Sequence, residues 1–307
     1  MRVSLLLAGL MALGFSGCRP DPPPVVEGGS TTGATTPAAA ATATAIPLRP
    51  AVVPADAPCQ PDRYPDFAPA AYRAPSHVIV FVDRSSTATV NGTNGPYWQA
   101  VLDEISGPML ANGSAMDFYR IHSNTISMSQ HAQASVRAQT PEVAPGAGAL
   151  ATKQACDAAN VAFVTGVVAV KQVAESYMLD TTTSVPTTAN QSDVWGALEV
   201  VSKVAASDAA DTDLRVLLLT DAMHCTAARC LENTPPASKA QAEAWGREDA
   251  ARARQQLSID EAVVARGTYR FTPGDFFLKP GFPNVKYYWT SFLREFGVPE
   301  EKVTFNM

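Results

Sequence analysis

The sequence predicts an α/β fold: a Rossmann-like, doubly wound and mostly parallel central sheet with helices on both faces. Two apolar runs rich in β-branched and leucine residues, 77–82 and 214–220, are typical of strands buried on both sides. Segments with helical character lie between and after them, and this alternation favours parallel strands joined by helices. Ligands of such sheets bind at the carboxyl ends of the strands.

Four further elements complete the first half of the domain, after the strand at 77–82. Residues 97–105 predict a helix, and 116–121 predict a second strand. The Ala- and Val-rich segment 150–179 is long enough for one helix, with Gly166 as the place where it would break. Residues 194–206 predict an amphipathic helix, because their apolar side chains recur on one side.

The second half of the domain continues this alternation after the strand at 214–220. Residues 238–257 predict a charged helix, followed by a strand across 262–271. Residues 287–296 predict a last helix with an aromatic core face, and 302–305 a last short strand.

The N-terminal residues have the character of an export signal. Arg2 precedes an apolar run over 3–15, which ends in Ser16-Gly17-Cys18. As a helix this run would rise about 20 Å, too short for a hydrocarbon core of roughly 30 Å. The ending resembles the bacterial lipoprotein signal, which implies a signal peptide over 1–17, a lipidated Cys18 and an envelope location, in the outer membrane because Arg19 follows. The alternative is a plain secretory signal with a buried Cys18.

The next segment, 18–72, is predicted to be a tether to a single folded domain, 73–307. Half of the prolines, 12 of 24, fall between Pro20 and Pro69, among Ala, Thr and Gly. Such a composition buries too little apolar area to offset its ordering entropy. The net charge of −6, without a run of Lys or Arg, argues against nucleic acid as a partner.

Four cysteines remain when Cys18 is set aside, and an even number in an exported protein favours disulfides. Cys225 and Cys230 are close enough to close a small loop, and Cys59 with Cys156 would then join the start of the folded region to a helix. A zinc site of His224, Cys225 and Cys230 is the competing interpretation, although adjacent His and Cys residues rarely point at one metal.

Oxygen-bearing side chains follow both buried strands. Asp83 ends the first strand, with hydroxyls at Ser85 and Thr87, and Asp221 follows the strand at 214–220. Ser192 precedes the helix between them. Five hard oxygens from three segments suit an octahedral Mg²⁺ or Mn²⁺ ion with a position left for water or a carboxylate. Helix capping and ordinary loop chemistry are the alternative roles of such residues.

These residues resemble the metal-ion-dependent adhesion site of von Willebrand factor type A (vWA) domains. That motif has Asp-x-Ser-x-Ser after the first strand, a Thr at a helix start, and Thr-Asp-Gly after the fourth strand. Here Thr87 replaces the last Ser, Ser192 replaces the Thr, and Ala222 replaces the Gly. The resemblance implies Mg²⁺ or Mn²⁺ as cofactor and a protein ligand whose acidic residue completes the metal sphere.

The sequence therefore predicts a lipid-anchored adhesion or scaffold module of the bacterial envelope rather than an enzyme. One alternative is a metal-free envelope scaffold with a vestigial site. The other is a phosphatase-type hydrolase with Asp83 as nucleophile, but such enzymes usually need a second carboxylate two residues later, where this chain has Ser85. His224 is expected at the surface near this edge, and Trp195 in the core.

Overall fold

A computed structural model describes the protein over residues 57, 59–60, 73–84, 90, 92–111, 113–127, 131–136, 141, 143–180, 192–273 and 282–306. It contains a six-stranded sheet in the order β3-β2-β1-β4-β5-β6. The strands are β1 (Ser76–Asp83), β2 (Ala115–Ile121), β3 (Ala132–Ser135), β4 (Asp213–Leu219), β5 (Thr268–Phe271) and β6 (Val303–Phe305). All neighbours are parallel except β3, which runs antiparallel to β2. The predicted α/β fold class is confirmed.

Helices cover both faces of this sheet. They are α1 (Gly95–Ser106), α2 (Ala149–Leu179), α3 (Gly196–Val204), α4 (Lys239–Gln256), α5 (Glu261–Arg266) and α6 (Val285–Glu295). Side chains alternate across a strand, so β1 contributes to two cores. Ile79 and Phe81 pack with α3, α4 and α6, whereas Val78 and Val80 pack with α1 and α2. This two-sided burial is why β1 has a continuous apolar sequence.

The predicted strand across 262–271 is wrong in its first half, which forms helix α5. The Asp260 carboxylate begins this helix by accepting hydrogen bonds from the N–H groups of Ala262 and Val263, at 3.0 and 3.3 Å. The helix ends at Arg266, and β5 begins two residues later. A local N-cap therefore outweighs the β preference of the paired valines.

Strand β3 was not predicted, and helix α2 is not broken at Gly166. β3 has the sequence Ala-Gln-Ala-Ser, which lacks β-branched and aromatic residues, and its pairing along the edge of β2 makes it a strand. α2 runs continuously for 31 residues, about 46 Å. By length and composition alone, it is the one helix in the described part of the chain that could cross a membrane, a test that core helices of soluble proteins also pass.

Both expected disulfides are present. Cys59 is bonded to Cys156 on α2 across a separation of 97 residues, and Cys225 is bonded to Cys230. The first bond attaches the chain before β1 to the middle of the domain. The predicted signal peptide, its Cys18 and nearly all of the predicted tether lie outside the described residues.

Candidate metal centre at the carboxyl edge of the sheet

The carboxyl edge of the sheet holds a buried group of oxygen atoms around Asp83, the last residue of β1. The side chain of Asp83 has no exposed surface. Its Oδ2 atom accepts hydrogen bonds from the Ser192 hydroxyl at 3.0 Å and from the Thr220 hydroxyl at 2.6 Å. Because a buried carboxylate is costly unless polar groups compensate it, these two hydroxyls stabilise Asp83 in its place.

The register of β1 with β4 explains the contact between Asp83 and Thr220. The two strands are parallel, and Val82 lies opposite Leu219. Asp83 and Thr220, which directly follow these two residues, therefore lie side by side at the carboxyl edge of the sheet. A carboxylate and a hydroxyl from segments 137 residues apart in sequence meet as a consequence of strand pairing.

Ser192 comes from a third segment, which is paired to the hairpin of the second disulfide. The Ser192 N–H donates to the Cys225 carbonyl at 3.0 Å, and the Cys225 N–H donates to the Ser192 carbonyl at 2.9 Å. This isolated antiparallel bridge continues to Cys230, which pairs with Cys225 through its backbone as well as its sulfur. The disulfide hairpin thus positions the segment whose hydroxyl contacts Asp83.

Asp221 is buried directly after Thr220, and its Oδ1 atom accepts a hydrogen bond from the Met223 N–H at 2.9 Å. Ala222 has a φ of 62°, a left-handed conformation that favours glycine. Hydrogen bonds hold this backbone: the Ala222 N–H donates to the Thr220 hydroxyl, and the Trp289 indole donates to the Ala222 carbonyl at 2.8 Å. Ala222 therefore holds a backbone conformation that glycine adopts more readily, while carrying a methyl group.

The start of helix α3 is fixed by a turn around Asp193. The Asp193 Oδ1 atom accepts a hydrogen bond from the Gly196 N–H at 3.0 Å, and the Thr125 hydroxyl donates to the Asp193 carbonyl at 2.7 Å. A Cβ atom on Gly196 would collide with the Asp193 carboxylate. Burial raises the pKa of Asp193. Glycine at 196 therefore allows the tight turn that places neighbouring Ser192 beside β1.

His224 is in the core, so the expectation of a surface histidine is wrong. Its ring stacks on Trp195 with centroids 4.2 Å apart, and its Nδ1 atom accepts a hydrogen bond from the Val194 N–H at 3.2 Å. Burial, aided by the charge of Arg229, lowers the pKa of His224 to about 3. The imidazole is therefore neutral and supports the loop under the site. Trp195 is buried, as expected.

The zinc alternative is wrong for the oxidised protein. Cys225, Cys230 and Glu232 have ligand atoms within 4.8 Å of one another. However, the two sulfur atoms are bonded to each other and are not thiolates, the form that binds zinc. The imidazole of His224 faces Trp195 and the backbone of Val194 instead.

Of the five predicted metal ligands, Asp83 and Ser192 are in direct contact, and Asp221 lies at the end of the neighbouring strand. Ser85 and Thr87 lie outside the described residues.

Thr220 is a member of the site that was not predicted as a ligand. The signal that would have revealed it is its place after β4, since two adjacent parallel strands that both end in polar residues bring those residues together.

The donor set fits a hard divalent cation. Asp83 and Asp221 offer carboxylate oxygens, Ser192 and Thr220 offer hydroxyl oxygens, and all four residues are buried. Mg²⁺ and Mn²⁺ prefer such oxygen ligands. The position of Asp83 and Asp221 at the ends of adjacent strands also places negative charge where an ion would neutralise it.

No model of a known protein family matches the sequence, and no curated protein matches it significantly. A proposal for the function therefore rests on the residues of this chain alone.

Proposed function

We propose that this protein is a lipid-anchored module of the bacterial envelope, vWA-like in its domain, that binds a protein ligand through a divalent metal ion. Asp83, Ser85, Thr87, Ser192 and Asp221 would hold the ion. A bound Mg²⁺ or Mn²⁺ would supply an open coordination position for an acidic side chain of the ligand. The observation that carries this proposal is the contact of Asp83 with the Ser192 and Thr220 hydroxyls at the carboxyl edge of the sheet.

Three features of the chain support a binding module over a hydrolase. The position two residues after Asp83 is Ser85, so the acid–base carboxylate that a phosphatase needs there is missing. His224, a residue type that often moves protons, is neutral and packed against Trp195. Asp83 itself accepts hydrogen bonds from two hydroxyls, which suits a ligand better than a nucleophile directed at a substrate.

Calorimetry of the full chain with Mg²⁺ and with Mn²⁺ tests the metal site. We expect binding to the unaltered protein and a loss of at least tenfold in affinity for Asp83→Asn, which keeps the shape of the side chain and removes its charge. Asp221→Asn should weaken binding similarly or somewhat less, and Thr87→Ala should weaken it least because it removes a neutral ligand. Asp103→Asn, which removes a carboxylate paired with Arg270 on another element, is the matched control.

Two outcomes would change the conclusion. Absence of binding at millimolar ion, with circular dichroism showing a folded protein, favours the vestigial scaffold. Hydrolysis of p-nitrophenyl phosphate that disappears in Asp83→Asn favours the phosphatase.

The anchor is tested separately by membrane fractionation in a bacterial host. The unaltered chain should partition with membranes, and Cys18→Ser should release it. Mass spectrometry that finds an unmodified Cys18 in the mature protein would refute the anchor and leave the metal site untouched.

A further inference from the structure

Helix α2 carries the large apolar side chains that are exposed in the described part of the protein. They are between 48% and 71% exposed, and they are Leu150, Val161, Val164, Val168 and Leu179. Phe163, Val170 and Met178 lie outside this row on α2 and pack in the core. An exposed row of this kind indicates an interaction surface.

Four charged residues lie in the same row. Lys153 and Asp157 form one ion pair within the helix, Nζ to Oδ2 at 2.7 Å, and Lys171 and Glu175 form another, Nζ to Oε1 at 3.8 Å. All four side chains are at least 40% exposed. Together with the five apolar residues they make up what we call the α2 stripe.

The α2 stripe is straight and continuous. Each of its nine members follows the previous one by three or four positions. At 3.6 residues per turn they fall within a sector of about 80° over a length of about 40 Å. A second straight helix can therefore lie along the whole stripe.

The charges of the stripe are arranged symmetrically around Val164. Lys153 and Glu175 lie eleven positions before and after it, and Asp157 and Lys171 lie seven positions before and after it. Lys153 and Glu175 carry opposite charges, and so do Asp157 and Lys171. A second copy of the helix, reversed about Val164, would therefore place Lys153 opposite its Glu175, and Asp157 opposite its Lys171.

We propose that two copies of this chain associate through their α2 stripes, antiparallel, with a two-fold axis at Val164. Each dimer then contains four ion pairs between the copies, and apolar residues between those pairs. Exposed ion pairs add little affinity, so the apolar contacts drive association while the charges select the orientation. A parallel arrangement would place each charge opposite its own kind.

A lipid surface is a poorer occupant of this stripe. The uncharged part of α2 between Asp157 and Lys171 is 13 residues long, about 20 Å, against a hydrocarbon core of roughly 30 Å. Charges of both signs flank this part at each end, and a membrane offers nothing that would match their alternation.

Cysteine cross-linking tests the orientation. The starting protein is the full chain with Cys18→Ser, in which the remaining cysteines are in disulfides. In this protein Val164→Cys adds one free thiol to each copy, at the two-fold axis of the dimer. It should form a disulfide-linked dimer under mild oxidation. Val161→Cys is the matched control, because in the antiparallel pair the two thiols would lie about 9 Å apart along the axis. Equal cross-linking of both variants would indicate a parallel pair and overturn the proposal.

Charge exchange tests the register, with the dissociation constant of the dimer measured by sedimentation equilibrium. Lys153→Glu creates two like-charged pairs in the dimer and should weaken it about tenfold, and adding Glu175→Lys should restore it. Within each helix, Lys153→Glu repels Asp157 and Glu175→Lys repels Lys171, and these two repulsions do not cancel each other. A dimer restored in the double variant therefore reports the contact between the two copies. Lys239→Glu on α4, which breaks a comparable ion pair with Glu243, should leave the dimer unchanged.

Three results would contradict the proposal. One is a mass of 32.4 kDa at every concentration, which means that the chain is monomeric. Another is a dimer that is insensitive to the charge changes. The third is binding of the monomer to vesicles of neutral phospholipid that is lost in Val164→Glu. None of these results bears on the metal site.

Discussion

The pH dependence of stability should reveal a buried ion cluster at the start of β1, the end of the strand opposite Asp83. Both ring nitrogens of His77 face carboxylates: Nε2 lies 2.7 Å from Asp117 Oδ2, and Nδ1 lies 2.8 Å from Asp208 Oδ2. Burial alone would lower the pKa of His77, but the hydrogen bonds and charges of both aspartates raise it to about 9. His77 is therefore a buried imidazolium at neutral pH.

The shift from 6.5 to about 9 corresponds to about 3 kcal/mol of stability. Because the folded protein binds this proton more tightly, the contribution is fully present below pH 6.5. It is lost as the pH rises through 9. Burial would raise the pKa of Asp117, but its pairing with His77 and His131 lowers that pKa below the usual value. The stability that Asp117 contributes is therefore lost only in acid, below the pH range in which His77 titrates. The two shifts describe one interaction and are not added.

The assay is urea unfolding of the full chain and of His77→Gln at several values between pH 6 and pH 10. The difference in unfolding free energy between the two proteins should shrink by about 3 kcal/mol across this range. His131→Gln is the control, because His131 also contacts Asp117, at 2.6 Å, but its side chain is 39% exposed and solvent screens the pair. A difference that stays constant from pH 6 to pH 10 would mean that His77 is neutral in the fold, and the reasoning would be wrong.

Four substitutions test the frame around the site by denaturation under oxidising conditions. Cys59→Ala opens the 97-residue loop and should lower the unfolding free energy by about 5 kcal/mol, whereas Cys225→Ala should lower it by about 2 kcal/mol. The difference arises because closing a longer loop removes more entropy from the unfolded chain, and equal losses would contradict this explanation. Ala222→Gly should raise the unfolding free energy by about 1 kcal/mol, because glycine takes a φ of 62° without penalty. A loss of stability would show that the packing of the buried Ala222 methyl group contributes more than the relief of this backbone strain. Gly196→Ala should lower the melting temperature, at a cost of about 1–3 kcal/mol, because the new Cβ meets the Asp193 carboxylate; an unchanged melting temperature would mean that this turn yields easily.

Elements whose signal is local were predictable. The strands at 77–82 and 214–220 match β1 and β4 to within a residue or two, because a strand buried on both faces needs an uninterrupted apolar sequence. The helix at 238–257 begins where Ser238 accepts a hydrogen bond from the N–H of Gln241, a capping signal that lies within one turn. Asp83, Ser192 and Asp221 were candidates for the same reason, since each follows a strand or precedes a helix.

Features that depend on pairing between distant segments needed the tertiary structure. The side chains of β3 do not favour a strand, and its conformation comes from the free edge of β2. His224 has the polarity of a surface residue, but stacking on Trp195 and the hydrogen bond from Val194 bury it.

The sequence by itself determined the alternation of strands and helices, the Cys225–Cys230 pair and the oxygen-bearing residues at the strand ends, because each depends on composition within a short window. The pairing of Cys59 with Cys156, 97 residues apart, followed because no other cysteines remained once Cys18 was set aside. Only the tertiary structure decided that Thr220 joins Ser192 at Asp83, since a register between strands more than a hundred residues apart leaves no local pattern. It also decided which side of α2 faces outward. The 3.6-residue period of a helix specifies a stripe, but packing against the sheet specifies whether that stripe is core or surface.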